Sequence, residues 1–210
     1  MNHAILHNQA QFSLTSLSTQ YIYEDAIYAA STAILAQLIR GQAFDRHFLS
    51  EHMINAFGAT DAQGAWQWKD AYEAVEVAMV RFIQQFSPAL SKMPAERQMA
   101  MLEKLHGFCP THTRRSDESQ AMQQFSTPLT IGLAAIIAAD ITQGEVVLEP
   151  SAGTGMLAVL AQMQGASLIL NELSEARCGL LAGLFPETAV SRHNAEYIDD
   201  YLDVHVRPDV

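Results

Sequence analysis

Apolar residues in the first hundred positions recur every three or four residues, and nothing there alternates as a strand would. Tyr23, Ile27, Ala30, Ile34 and Leu38 mark one face of a helix that Gly41 should stop. Phe44, Phe48, Met53, Ile54 and Phe57 outline a second helix ending at Gly58. After a turn around Asp61 and Gly64, a strongly amphipathic third helix carries Tyr72, Val75, Met79, Phe82, Ile83 and Phe86. Pro94 opens a fourth, with Met99, Leu102 and Leu105 inward and Gly107 closing it. Stripes of this kind are core far more often than partner groove. Residues 1–107 are therefore expected to form a small helical bundle or cap. Trp66 and Trp68 should pack at the start of the third helix, with base stacking as the alternative.

The pattern changes in the second half. Val146-Val147-Leu148-Glu149 is a short apolar run ending in a carboxylate, followed by the small-residue turn Pro150-Ser151-Ala152-Gly153-Thr154-Gly155 and a further apolar segment. That is how a buried parallel strand, a ligand-cradling loop and a following helix read. Gly153 and Gly155 would let backbone approach a ligand, and the helix after them would aim unpaired N–H groups at it. No Lys-Ser/Thr follows the glycines, which excludes a P-loop. On its own the turn fits a tight connection, a dinucleotide site or another nucleoside cofactor. Thr127 and Pro128 read as the N-cap and first turn of a helix over 128–139, with Leu129, Leu133, Ile136 and Ile137 buried. Ser174 should cap another helix, with Leu180, Leu181 and Leu184 inward and Pro186 ending it. Gly153 and Glu172 are 19 residues apart, close to the ~20 between a glycine turn and a ribose-binding acid in a βαβ unit.

The segment Glu149-Pro150-Ser151-Ala152-Gly153-Thr154-Gly155 resembles motif I of the class I S-adenosylmethionine (SAM) methyltransferases, in the form typical of DNA adenine methyltransferases. Upstream, Gln123-Gln124-Phe125-Ser126-Thr127-Pro128 looks like motif X, whose phenylalanine and Ser/Thr-Pro turn contact the methionine part of SAM. Downstream, Leu168-Ile169-Leu170-Asn171-Glu172-Leu173 looks like motif II, which implies that Glu172 holds both ribose hydroxyls and Leu173 packs on the adenine. His193-Asn194-Ala195-Glu196 stands where motif III would be. Asn194 occupies the place of an acid that accepts the adenine amine proton, and Glu196 is a possible substitute whose plainer reading is a solvent-facing residue. The order X, I, II, III matches the family's γ arrangement and covers residues 121–210 only.

The resemblance implies an α/β protein. A helical bundle (1–107) and a linker (108–120) would precede the first half of a truncated, Rossmann-like, SAM-binding sheet (121–210). It implies SAM as cofactor and an adenine amine in DNA as target. In the family an Asn/Asp-Pro-Pro-aromatic turn after the fourth strand grips the target base, and no Asn-Pro-Pro or Asp-Pro-Pro occurs in these residues. Val206-Arg207-Pro208-Asp209-Val210 reads as the beginning of that fourth strand. The expectation is thus the cofactor half of a longer enzyme, inactive alone, with an open sheet edge prone to self-association. Methyltransferase-like regions with a Gln-Gln-Phe-x-Thr-Pro start also occur at the front of large bacterial helicases similar to strawberry notch. The alternative is a non-catalytic SAM-binding or interaction module of a larger nucleic-acid-processing protein.

Charge bears on the partner. The 210-residue chain has net charge −11. Residues 1–120 carry 9 basic and 12 acidic side chains, net −3; residues 121–210 carry 3 and 11, net −8. A surface gripping phosphates should be basic, so DNA binding would have to come from other segments. Two cysteines, Cys109 and Cys178, are too few for a disulfide framework and fit a reducing cytoplasm. No membrane span or signal pattern is evident. In the linker, His106-x-x-Cys109-x-x-His112 offers three metal-type ligands but no evident fourth, so a helix end and loop is the expectation. Arg114 and Arg115 nearby could meet phosphate or an acidic neighbour.

Overall fold

The computed structural model of the chain describes residues 3–111, 126–202 and 207–210, with residues 3–21 as backbone alone. It is an α/β structure in which a layer of four helices from the first half packs against the helices that flank a small parallel sheet. Helix α1 (His3–Arg40) ends at Gly41, whose φ of +65° is the left-handed turn that favours glycine. Helix α2 (Arg46–Phe57) is capped by the Asp45 side chain, which accepts from Phe48 N, and stops at Gly58 with φ +76°. Helices α3 (Trp68–Leu90) and α4 (Ala95–Gly107) complete this layer. Trp66 is buried and donates through Nε1 to Ala59 O. Trp68 opens α3, and the Arg46 guanidinium lies 4.0 Å from its ring centre. Both rings are thus packing groups at the start of α3.

Helix α3 is the axis of the molecule. Ala71, Ala74, Val77, Ala78, Val80 and Ile83 are wholly buried and do not share one stripe. A helix buried on nearly every side needs cover on opposite faces. Here α1 and α2 lie on one side, and the crossover helices of the sheet lie on the other.

The second half adds α5 (Leu129–Ala138), α6 (Ala158–Met163), α7 (Glu175–Leu184) and the four-residue α8 (Ile198–Tyr201). Strands β1 (Val146–Glu149), β2 (Ser167–Asn171) and β3 (Val190–Ser191) form a parallel sheet in the order β1-β2-β3. Val147 pairs with Leu168, and Leu170 with Val190. These residues share one face, and all pack into the core. Leu180, Leu181 and Leu184 are buried as expected. The two halves are keyed together. Tyr28 Oη donates to Leu180 O at 2.7 Å and fills the space a side chain on Gly183 would need. Gln84 Nε2 donates to Leu184 O at 2.8 Å.

Three local expectations are corrected. Pro128, not Thr127, is the N-cap of α5: its ψ of 138° is extended while its carbonyl already accepts from Gly132 N. The buried side of α5 runs Leu129, Gly132, Leu133 and Ile136, whereas Ile137 is 47% exposed. Gly132 takes the close position, since a Cβ there would sit 2.9 Å from Leu160 Cδ1. The helix after the glycine turn begins only at Ala158 and is six residues long. Val159 N, in its first turn, donates to Gly155 O at 2.9 Å and so is already satisfied.

The outer edge of β1 is partly engaged. Val210 N donates to Val146 O at 3.3 Å, and Leu148 N donates to Val210 O at 2.9 Å, the bonding of a parallel neighbour. Asp209 Oδ2 also accepts from Val146 N at 2.9 Å.

Candidate functional site

At the carboxyl ends of β1 and β2 lies a cleft of about 500 Å³. Its lining includes eleven residues expected from the sequence: Ser126, Thr127, Glu149, Pro150, Ser151, Ala152, Gly153, Glu172, Leu173, Asn194 and Ala195. Pro128 stands behind it as the cap of α5. Phe125 lies outside the described residues, as do His112, Arg114 and Arg115.

Hydrogen bonds to loop backbone fix the cleft's shape. Glu172, 7% exposed, accepts from Gly153 N through Oε2 and from Ser174 N through Oε1, both at 2.8 Å. One carboxylate thereby binds the glycine turn of β1 to the start of α7. Asn171, wholly buried, performs the same task across three strands. Its Nδ2 donates to Pro150 O (2.8 Å) and His193 O (2.9 Å), and its Oδ1 accepts from His193 N (2.8 Å) and Ser191 Oγ (2.9 Å). Buried amides of this kind are costly unless satisfied, and this one uses both ends.

The two glycines differ. Gly153, at φ +57°, lines the cleft, and a Cβ there would meet Arg177 Nη1 at an ordinary contact distance of 3.9 Å. Gly155, at φ +89°, does not line the cleft. A Cβ there would meet Phe185 Cε2 at 2.5 Å and Leu181 Cδ1 at 3.1 Å. Its lack of a Cβ serves packing under α7.

Glu149 closes β1, and its Oε1 accepts from Ser151 N at 3.2 Å. Burial pushes its pKa up; the Ser151 bond opposes this and the Glu172 charge adds to it. Asn194 Oδ1 accepts from Glu196 N at 3.1 Å, which caps a short turn and leaves the amide at the cleft wall. Glu196 itself is exposed and outside the lining, in line with the solvent-facing reading. Leu173 presents an exposed apolar surface, and His193 stacks on Tyr201 with centroids 5.5 Å apart.

Sequence reasoning missed Thr154, Met156, Leu157, Arg177 and His193 in the lining, and it missed the support behind them. Asp70, Glu73 and Glu76 project from α3 at three-residue spacing. Arg177 Nε donates to Glu73 Oε1 at 2.8 Å, and Glu73 is 2% exposed. Burial opposes the Arg177 cation, and Glu73 and Glu76 more than restore it, so its pKa lies above the ordinary value. Tyr23 Oη lies 2.8 Å from Glu73 Oε2 and 3.0 Å from Asp70 Oδ1. Burial first, and then these two acids, push the phenol pKa up. Thr154 Oγ1 donates to Glu76 Oε2 at 2.6 Å, and Ser126 also bonds this carboxylate. The available signal was three carboxylates at i, i+3 and i+6 on a helix rich in Ala and Val, which must find donors on other elements.

Cys109 Sγ donates to Leu105 O at 3.6 Å, and burial pushes its thiol pKa up to about 12. Among the described residues no His, Cys, Asp and Glu grouping could hold a metal ion. No described helix is long and apolar enough to cross a membrane.

No family model, curated protein or solved structure matches the chain.

Proposed function

We propose that the cleft binds S-adenosylmethionine, and that residues 126–210 are the cofactor-binding part of a Rossmann-like methyltransferase fold. One observation carries this reading: the charge of the lining. Glu149 and Glu172 both face the cleft, and the one Lys or Arg in its described lining, Arg177, is already paired with Glu73. A pyrophosphate would meet carboxylates with no free cation to offset them, whereas a sulfonium or ammonium would be attracted. Topology supports the same place. β2 lies on one side of β1 and Asp209-Val210 on the other, and open α/β sheets bind ligands beyond the strand ends at such a switch point.

When bound, SAM would supply a methyl group on a positively charged sulphur. The protein's part is placement. Ser126 and Thr127 would meet the methionine end, and the Gly153 backbone would admit the sulfonium. Each Glu172 oxygen accepts one N–H, and a carboxylate has about four acceptor positions, so capacity remains for two ribose hydroxyls. Leu173 would lie on the adenine and Asn194 would accept from its amine.

Within this class, the motif order and the Glu-Pro-Ser-Ala-Gly form favour transfer to an adenine amine in DNA. The acidic second half assigns DNA contact to other segments. The net charge of −8 over residues 121–210 also suits a second reading, a SAM-binding module without transfer activity.

Isothermal titration of the whole chain with SAM, S-adenosylhomocysteine and NAD tests the cofactor. Saturable heat with the first two and none with NAD is expected, and heat with NAD alone would overturn the reading. Assay of an adenine-containing duplex with radiolabelled SAM separates enzyme from module.

A further inference from the structure

Glu76 belongs to α3, outside the sheet and its loops, yet its carboxylate meets two residues of the cleft lining. Thr154, in the glycine turn, donates to it at 2.6 Å and is itself buried. Ser126, which precedes α5 in a different segment of the lining, bonds the same carboxylate. Both partners line the cleft, whereas Glu76 does not. Next to it on α3, Glu73 holds Arg177, which also lines the cleft.

The geometry points to Glu76 as a positioning residue that sets the cleft's width, clamping the Ser126 wall and the Thr154 wall to one carboxylate of the helical layer. The first half of the chain is then a working part of the binding site and not only a cover beside it. The short charge-assisted bond from Thr154, with the Ser126 hydroxyl on the same carboxylate, fixes where the amino-acid end of a ligand can lie. The base end, near Leu173 and Asn194, is held by Asn171 and does not depend on Glu76. This inference rests on the cleft being the SAM site, and its test has one arm that needs no ligand.

The variants are Glu76→Ala, which removes the tie, and Glu76→Gln, which keeps the shape and two hydrogen-bonding ends. In the ligand-free arm, hydrogen–deuterium exchange is followed in peptides covering 126–133 and 150–157. Glu76→Ala should speed exchange in both segments by roughly tenfold, with strand β2 unchanged and Glu76→Gln close to the parent chain. Unchanged exchange in either segment of a folded Glu76→Ala protein would overturn the clamp. In the ligand arm, S-adenosylhomocysteine is compared with 5′-methylthioadenosine, which lacks the amino-acid end. Glu76→Ala should weaken the first by about tenfold or more and the second by less than about threefold, and Glu76→Gln should restore most of the loss. Equal loss for both ligands would overturn positioning in favour of general destabilisation. If the parent chain binds neither ligand while exchange responds as expected, the cofactor reading fails and the clamp stands.

Discussion

Along α3, small and branched side chains disappear against neighbours on both sides, and the helix satisfies its own backbone. Along β1, β2 and β3, strands of four, five and two residues give only a short ladder, and buried polar side chains complete it: Asn171, Glu172, Ser174 and Arg177. Apolar area is thus the main hold on the helical layer, its buried acids Asp70 and Glu73 apart, and specific hydrogen bonds to loop backbone fix the cleft. Apolar contacts tolerate volume-conserving change, whereas a buried polar group that loses its partner costs the full desolvation penalty. The cleft should accordingly be the more brittle region.

The largest expected effect comes from the link between the two. Arg177→Met leaves Glu73 buried without its cation and should lower unfolding free energy by roughly 3–5 kcal/mol in urea titrations. Adding Glu73→Gln should recover part of this; no recovery would mean that Arg177 acts through packing. Asn171→Leu is next. It strands Pro150 O and both backbone groups of His193, for a loss of about 3 kcal/mol, and should loosen the 150–153 and 191–194 loops before the helices. Uniform loosening of the whole chain would erase the distinction between the layers.

The glycines refine the contrast. Gly155→Ala should cost about 2–3 kcal/mol from its left-handed backbone and the Phe185 ring, with little change in ligand affinity once folded. Gly153→Ala should cost only about 1–2 kcal/mol yet weaken the ligand more, because its Cβ enters the cleft. The reverse ranking in titration calorimetry would show that Gly155 faces the ligand after all.

Acidity separates stability from binding by sign. Burial is the first cause that raises Asp70, Glu76 and Glu149 above ordinary values of 3.8, 4.5 and 4.5. A raised carboxyl binds its proton more tightly in the folded state. Its contribution to stability is thus full below the ordinary value and is lost as pH rises through the folded value. Melting curves should show this part of stability growing on mild acidification from neutrality. A cationic ligand prefers Glu149 ionised, so its affinity should fall over the same interval, and affinity flat with pH would remove Glu149 from the ligand's surroundings. At the small end, Ile131→Ser, on the exposed side of α5, should change stability by less than about 0.5 kcal/mol.

Much of this architecture was legible because two periodicities announce it. Ile27, Ala30, Ile34 and Leu38 mark α1, and the glycines at 41 and 58 end α1 and α2 as read. The run to Glu149 and the acid at 172 located the cleft, since strand ends and small-residue turns are local signals. What stayed hidden was long-range. Nothing near Glu76 in the chain announces Thr154 or Ser126, and Arg177 gains its meaning only from Glu73, 104 residues away. Ile137 was misassigned because α5 is apolar nearly all round, so its pattern alone does not choose a buried side. The Phe185 ring against Gly155 was hidden because a left-handed turn looks the same whether a ligand or a phenyl ring demands it.

The Tyr28 phenol occupying the hollow at Gly183 has a practical side. A shortened reagent made from residues 126–210 alone would bare the surfaces of α6 and α7 that α1 and α3 now cover, and would leave that hollow vacant. Ligand screens and crystallisation trials belong with a chain that holds both halves, where lock and key arrive on one polypeptide.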